Sequence, residues 1–404
     1  MRTCLKNIGF LFALGSLAAC SGAGQSNLPG NVIASMQRGN MHRNGSLGPV
    51  LTTADGGQIF GFDVDRNGND GVVASISGNE ISVQTFDPTT GKITKTVGAK
   101  MGRPVAKGDD YVVDGIFDGD VALVDFEKAG IPGQTPAHDH YNLMNPVTRL
   151  KLNGRWKPPL NLFHTEQWAV NQSTPTSVVF GYQRKGSDST SLIVADLTKQ
   201  TGAKAIALDQ NQFSLSMGPQ LAQDTANNLA VMATSPSGGA AGGPPPKIAT
   251  IDLKNGKMVE FGGVSCPGLA GCGSANGIAY DSATGVACTT SELDGGVELY
   301  DVAKQTGFRV TMPNGGGQSF AGSYVVNDPV HQLFLIAQQF SSTSPSGSSV
   351  QVYDENGDLV ESIDGFNFTD AGFLVIPVRI AINPSARTGW VNGPSDNQLQ
   401  QFSY

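Results

Sequence analysis

Two neighbouring stretches decide the fold: Gly277-Ile278-Ala279-Tyr280-Asp281-Ser282-Ala283-Thr284-Gly285-Val286-Ala287-Cys288-Thr289-Thr290 and Val297-Glu298-Leu299-Tyr300-Asp301-Val302-Ala303-Lys304-Gln305-Thr306-Gly307. Short runs rich in β-branched and aromatic residues are punctuated by Asp and Gly at turn spacing, so the unit reads strand, turn, strand, loop, strand, turn, strand. The third strand recurs at 81–86, 121–126, 192–197, 248–253, 297–301, 350–354 and 399–402. Two hairpins cannot bury both of their faces alone, so such units stack on copies of themselves.

Seven copies predict an all-β chain, a seven-bladed β-propeller with four strands per blade. The first six copies are each followed by a turn and a fourth strand, as in Asp87-Pro88-Thr89-Thr90-Gly91-Lys92, where Gly supplies the positive φ the turn needs. The seventh stops short of a fourth strand. That strand is expected from residues 31–53, so that N- and C-terminal strands share the last blade and two free sheet edges disappear. Blade two departs from the pattern, with a shortened first strand around Val105 and an insertion at 130–145.

The run Ala381-Ile382-Asn383-Pro384-Ser385-Ala386-Arg387-Thr388-Gly389-Trp390-Val391-Asn392, together with Tyr280-Asp281-Ser282-Ala283-Thr284-Gly285, resembles the YVTN-type seven-bladed propellers and the lactonase-like propellers related to them. The likeness spreads over most of residues 57–404. It implies a fold and not a single function, because such propellers include binders, scaffolds and enzymes.

Residues 1–19 form a leader: Arg2 and Lys6, an apolar run from Ile8 to Leu17, then Leu17-Ala18-Ala19 before Cys20. The run is too short to span about 30 Å of hydrocarbon, and it ends in small residues before a cysteine. It resembles the bacterial lipobox, which implies lipidation on Cys20. Residues 20–30 then read as a flexible tether, and 31–404 as the propeller. Ser21 after the lipidated residue implies sorting to the outer membrane, facing the periplasm or the outside, with the lipid as membrane partner.

The formal charge is −8, and −10 once the two leader cations are removed. A chain this acidic is not a nucleic-acid binder on bulk charge. With 52 Gly, 22 Pro and only 15% charged residues it reads as many short strands and turns. Beyond Cys4 and Cys20 lie Cys266, Cys272 and Cys288. Cys266 and Cys272 bracket a flexible Gly-containing loop and are expected to form a disulfide, two free thiols being the alternative. Cys288, in an alternating run, reads as a small buried core thiol.

Candidate chemistry is sparse. Asp63, Asp65, Asn67 and Asp70 surround Gly68 in the manner of a Ca²⁺ loop, yet Ala74 stands where a bidentate Glu belongs. Repeat alignment also puts Asn171, Asp224, Asp281, Asn327 and Asn383 at the position of Asp63, which points to turn formers and to no cofactor. His138-Asp139-His140 lacks a defined third metal ligand. Ser395-Asp396-Asn397 stands without the other penicillin-binding motifs, and no Gly-x-Ser-x-Gly occurs. Four places before the turn residue, the alignment reads Ile59, Arg103, Gln167, Gln220, Gly277, Ser323 and Arg379. If first strands line the axis, these residues form a polar collar at its mouth, with His164, Glu166 and Asn276 just above. Two guanidinium forks there suit a carboxylate or other small anion.

Two functions are open. One is a binding or scaffold module for an envelope protein or small anionic ligand, with loops 235–246 and 341–348 projecting beside the collar. The other is a lactonase-like or other hydrolase working at the channel mouth through His164, Glu166 or Arg379. Only five histidines, without a dense His and carboxylate cluster, favour the binder.

Overall fold

The computed structural model of the chain describes residues 45–64, 68–77, 80–100, 111–118, 121–128, 140–145, 151–156, 162–170, 177–184, 190–196, 204–207, 220–224, 227–234, 247–255, 257–262, 275–291, 296–311, 325–338, 348–366, 379–392 and 397–404. Between 97 and 221 the description is of backbone pairing alone. The leader, Cys20, the tether, His138-Asp139, and Cys266 and Cys272 lie outside the described residues.

The fold is an all-β propeller. Among the described residues, 28 strands make seven four-stranded antiparallel sheets, here called blades. β1 (Ser46–Thr52) comes first and belongs to the last blade. Blade 1 is β2 (Gln58–Val64), β3 (Gly71–Ser77), β4 (Glu80–Phe86) and β5 (Ile93–Lys100). Blade 2 is β6 (Tyr111–Asp118), β7 (Val121–Lys128), β8 (His140–Asn145) and β9 (Lys151–Trp156); blade 3 is β10 (Leu162–Val170), β11 (Ser177–Arg184), β12 (Thr190–Asp196) and β13 (Lys204–Ala207). Blade 4 is β14 (Gln220–Asp224), β15 (Leu229–Thr234), β16 (Lys247–Asp252) and β17 (Met258–Phe261); blade 5 is β18 (Ala275–Asp281), β19 (Val286–Ser291), β20 (Gly296–Asp301) and β21 (Thr306–Thr311). Blade 6 is β22 (Val325–Asp328), β23 (Leu333–Gln338), β24 (Ser348–Asp354) and β25 (Leu359–Phe366), and blade 7 is β26 (Arg379–Asn383), β27 (Thr388–Asn392) and β28 (Gln398–Ser403) with β1 outermost.

β1 falls inside the 31–53 segment, and it pairs antiparallel with β28 from Ser46 opposite Ser403 to Thr52 opposite Gln398. Blade 2 differs from the sequence reading. Residues 121–126 lie in its second strand and not its third, and its first strand is 111–118 rather than a short one around Val105. Part of the supposed insertion, 140–145, is its third strand. The hairpin of β6 and β7 carries Asp114, Asp118 and Asp125, and these charges hid its alternation.

Successive blades meet through their first strands, and β2 also lies against β26, so the order returns to its start. Between blades the period of two sends alternate side chains to opposite neighbours. Val297 and Leu299 pack with Phe334, Ile336 and Tyr353 of blade 6, while Ala287 and Tyr300 pack with Val231, Ile248 and Phe261 of blade 4. Val350, Val352 and Phe366 meet Ile380, Val391 and Phe402 of blade 7. Trp390, Leu399 and Leu51 of blade 7 meet Phe62, Val73 and Phe86 of blade 1. At this last seam the rings of Phe86 and Trp390 stand edge to face, 5.3 Å between centroids. Trp390 Nε1 donates to Pro88 O at 3.1 Å, and Gln401 Nε2 donates to the same oxygen at 2.6 Å.

One face of the ring holds the tight turns, from first to second and from third to fourth strand. There Asp224, Asp281 and Asp328 end their first strands and are fully buried. Each accepts backbone N–H groups of its own turn: Asn227 at 3.1 Å, Ala283 at 2.8 Å, and Val330 and His331 at 3.0 and 3.1 Å. Asp281 and Asp328 also accept from the next blade, from Asn327 Nδ2 at 3.4 Å and from Tyr404 OH at 2.9 Å. The turns close on a left-handed residue just before the second strand: Asn228, Gly285, Gln332 and Arg387, with φ from 51° to 78°. A ring of turn acids thus serves both as turn formers and as ties between blades.

Candidate functional site

The opposite face carries the starts of the first strands, the mouth at which the collar was expected. The turn residue fixes height: counting four pairs up from the last pair of a first hairpin reaches one row. In that row Gln220 faces Ala233, Gly277 faces Thr290, Arg379 faces Asn392, and Ile59 faces Ser75. These four expected positions therefore share one level on blades 4, 5, 7 and 1.

One expected position falls outside this row and two are not among the described residues. In blade 3 the count reaches Thr165, opposite Tyr182, and Gln167 lies one pair nearer the turn, opposite Gly181. In blade 2 the same count reaches Asp114, opposite Asp125, and Arg103 lies outside the described residues. In blade 6 the residue that ends the first strand is Asp328, opposite Leu333, not Asn327, and Ser323 lies outside the described residues. Asn327, next to Asp328, passes for the turn residue in the sequence, and only the distance to the second strand separates them.

A β-bulge recurs beside the row. The register jumps between Ile59 and Gly61, between Thr165 and Gln167, and between Ala275 and Gly277, leaving Phe60, Glu166 and Asn276 as the extra residues of β2, β10 and β18. A second jump on β10 separates Leu162 from His164, which pairs with Gln183. Bulges re-aim the side chain they carry and gather beside functional sites. Glu166 and Asn276 were expected near the mouth from the repeat; Phe60 was not. Because Glu166 is a bulge residue, strict alternation with His164 does not hold on β10.

Of the Ca²⁺ candidates, Asp63 and Asp70 are described, whereas Asp65 and Asn67 are not. Asp63 Oδ1 accepts the N–H of Val64 at 2.8 Å. Among the described residues no three His, Cys, Asp or Glu side chains gather as a metal site. Cys288 is buried between blades 5 and 6, and burial, with Glu298 nearby, pushes its thiol far above the usual range.

A second polar position escaped the sequence reading. On third strands, the residue two before the terminal aromatic is Gln84, Glu298, Gln351 or Gln400, in the pattern Ser82-Val83-Gln84-Thr85-Phe86, Gly296-Val297-Glu298-Leu299-Tyr300, Ser349-Val350-Gln351-Val352-Tyr353 and Gln398-Leu399-Gln400-Gln401-Phe402. Gln84 and Glu298 are fully buried and Gln351 nearly so. Glu298 accepts Arg309 Nη1 at 3.1 Å and Tyr300 OH at 3.0 Å. Gln84 Oε1 accepts Ala54 N at 2.9 Å, and its amide reaches Ser82 Oγ at 3.2 Å. Beside it, Asp55 accepts Ser75 Oγ at 2.8 Å and Gly57 N at 3.1 Å, which fixes the segment between β1 and β2 on the mouth face. The repeated spacing was legible had the third strands been aligned on their aromatics. Its polar members bond chiefly within their own blades, Gln84 also holding Ala54 of the segment that leads into β2.

No family model matches the sequence, and no curated protein does either. Solved structures do match in fold. U3-55K is 11% identical with a TM-score of 0.57, over 88% of this chain and 98% of that one. The β-propeller domain of Cps50 (Swd1) from Myceliophteria thermophila is 8% identical with a TM-score of 0.55, over 89% and 99%. Raptor from Chaetomium thermophilum is 14% identical with a TM-score of 0.56, over 88% of this chain but only 28% of that much longer one. Other matches include the WD40 repeats of RRP9 and the propeller of Dos1. At such identities the likeness is one of fold, that of a β-propeller, and it does not reach to the YVTN or lactonase-like type.

Proposed function

We propose that the chain is an envelope lipoprotein, lipidated on Cys20 and held at the outer membrane, whose propeller is a non-catalytic binding or scaffold module for a protein partner. The observation that carries this is the mouth: first-strand positions that share one level, with a recurring bulge beside it, on the face where the second strands β15 and β23 end. A rigid ring that presents variable loops at one rim is a common way to build a recognition surface.

The composition of the row selects the ligand class. The polar residue types at this level are Asp114, Gln220 and Arg379, an acid, a carboxamide and a guanidine. That mixture suits the alternating donors and acceptors of a peptide better than the paired guanidinium groups an anion sink needs. The YVTN-type resemblance adds no further specificity.

The test is a pull-down from cross-linked membranes with the full chain and with the double variant Gln220→Ala, Arg379→Gln. A partner recovered by the parent and lost by the variant supports the reading; an identical set of captured proteins sinks it. A thermal-shift screen of small carboxylates runs beside it, and a shift abolished by Arg379→Gln alone would favour a small anion instead. Anchoring is read separately: Cys20→Ser should move the protein from the membrane to the soluble fraction.

A further inference from the structure

The seams between blades contain one repeated pair whose two copies behave differently. On β20, Tyr300 and Glu298 stand two apart on the same face, and the phenol donates directly to Glu298 Oε2 at 3.0 Å. On β24 the equivalent residues are Tyr353 and Gln351, 1% and 2% exposed. Here the amide nitrogen of Gln351 is turned away, donating to Ser349 Oγ at 2.7 Å and Ser362 Oγ at 2.9 Å. Gln351 Oε1 and the Tyr353 hydroxyl are left buried without a protein partner. In the first and last blades the aromatic is Phe86 or Phe402, so no hydroxyl is placed there at all.

A buried polar atom without a partner costs about 1–3 kcal/mol, and two at neighbouring positions of one strand face seldom persist unless something joins them. The surroundings limit what that is. Ala279, Cys288, Leu299, Phe334 and Ile336 line the seam around Tyr353, and the nearby Glu298 carboxylate is already engaged by Arg309 and Tyr300. An occupant that is small and neutral, and able both to accept and to donate, suits the two atoms.

We propose that the seam between blades 5 and 6 holds one internal water molecule, which accepts from Tyr353 OH and donates to Gln351 Oε1, with the Cys288 thiol as a weaker third neighbour. It does for Tyr353 and Gln351 what direct contact does for Tyr300 and Glu298. Two to four polar partners is the usual complement of a buried water.

The test uses the whole chain with Tyr353→Phe, Gln351→Leu and the double variant, followed by water ¹⁷O relaxation dispersion and thermal unfolding. Each single variant should lose one long-lived internal water and unfold at a Tm lower by about 1–3 °C. The double variant should lose the same single water, and its Tm shift should fall short of the sum, because both side chains hold one molecule. Unchanged dispersion together with a higher Tm for Tyr353→Phe would overturn the proposal, since deleting a truly orphaned hydroxyl stabilises. Additive shifts with two waters lost would also overturn it. If Tyr353→Phe folds poorly, Gln351→Leu alone reads the same water.

Discussion

The two faces of the ring use their polar residues in opposite ways. On the turn face Asp224, Asp281 and Asp328 are fully buried, each satisfied by the backbone of its own turn, and two of them are tied to the next blade. On the mouth face the row of Ile59, Gln220, Gly277 and Arg379 shares a height but not a residue type, and bulges break β2, β10 and β18 beside it. A repeat keeps polarity where each copy needs the same hydrogen bonds, and lets it vary where none does.

Substitutions should separate the two faces, beginning with the seam of largest stake. Trp390→Ala, at a side chain 1% exposed that packs on Phe86 and binds Pro88 O, should cost ~3–5 kcal/mol in urea unfolding. Asp328→Ala should come next, at about 2–4 kcal/mol, because it leaves Tyr404 OH and the amides of Val330 and His331 without their acceptor. A loss under about 0.5 kcal/mol for either would mean that water replaces the tie, and the contrast between faces would fail.

A smaller effect is expected from protons on the turn face. Burial pushes the Glu355 carboxyl above its ordinary value of 4.5, the nearby Asp281 and Asp354 push the same way, and the hydrogen bond from Thr284 opposes them. A raised folded value means that the fold favours the protonated form. The stability this carboxyl contributes is complete below pH 4.5 and is lost as pH climbs through the raised value. Glu355→Gln should flatten that part of the stability–pH curve and leave the rest; a curve parallel to the parent's would show that Glu355 does not supply it. The smallest change in stability belongs to the mouth: Gln220→Ala with Arg379→Gln should shift unfolding by under about 0.5 kcal/mol while removing partner capture. A large stability loss there would make the row structural.

Much of this was legible in the sequence because the repeat writes it several times. The third strands, the Asp-led turns and the place of β1 followed from spacing and from alternation alone. Blade 2 did not, since 121–126 matches the third-strand pattern in composition while its partner 111–118 is interrupted by acids, and period two cannot tell second from third strands. The mouth was half legible. Ile59, Gln220 and Arg379 came out level, whereas Gln167 stands one pair off, and in blade 6 Asn327 mimics the turn residue that follows it. The bulges at Phe60, Glu166 and Asn276 left no trace in composition, being a property of pairing rather than of residue type.

The pairing of β1 with β28 sets an order of events. Ser46 finds its partner at Ser403, 357 residues further along, so β1 stays unpaired until β28 has been made. Every other blade is assembled from segments close together along the chain, and can form before its successors. Blade 7 alone joins segments from opposite ends of the described residues, and loop closure over that distance is expected to make it the slow step. A chain interrupted late in its production would hold six complete blades and an open edge on each side of the gap. Those edges are what proteolysis and chaperones would meet first.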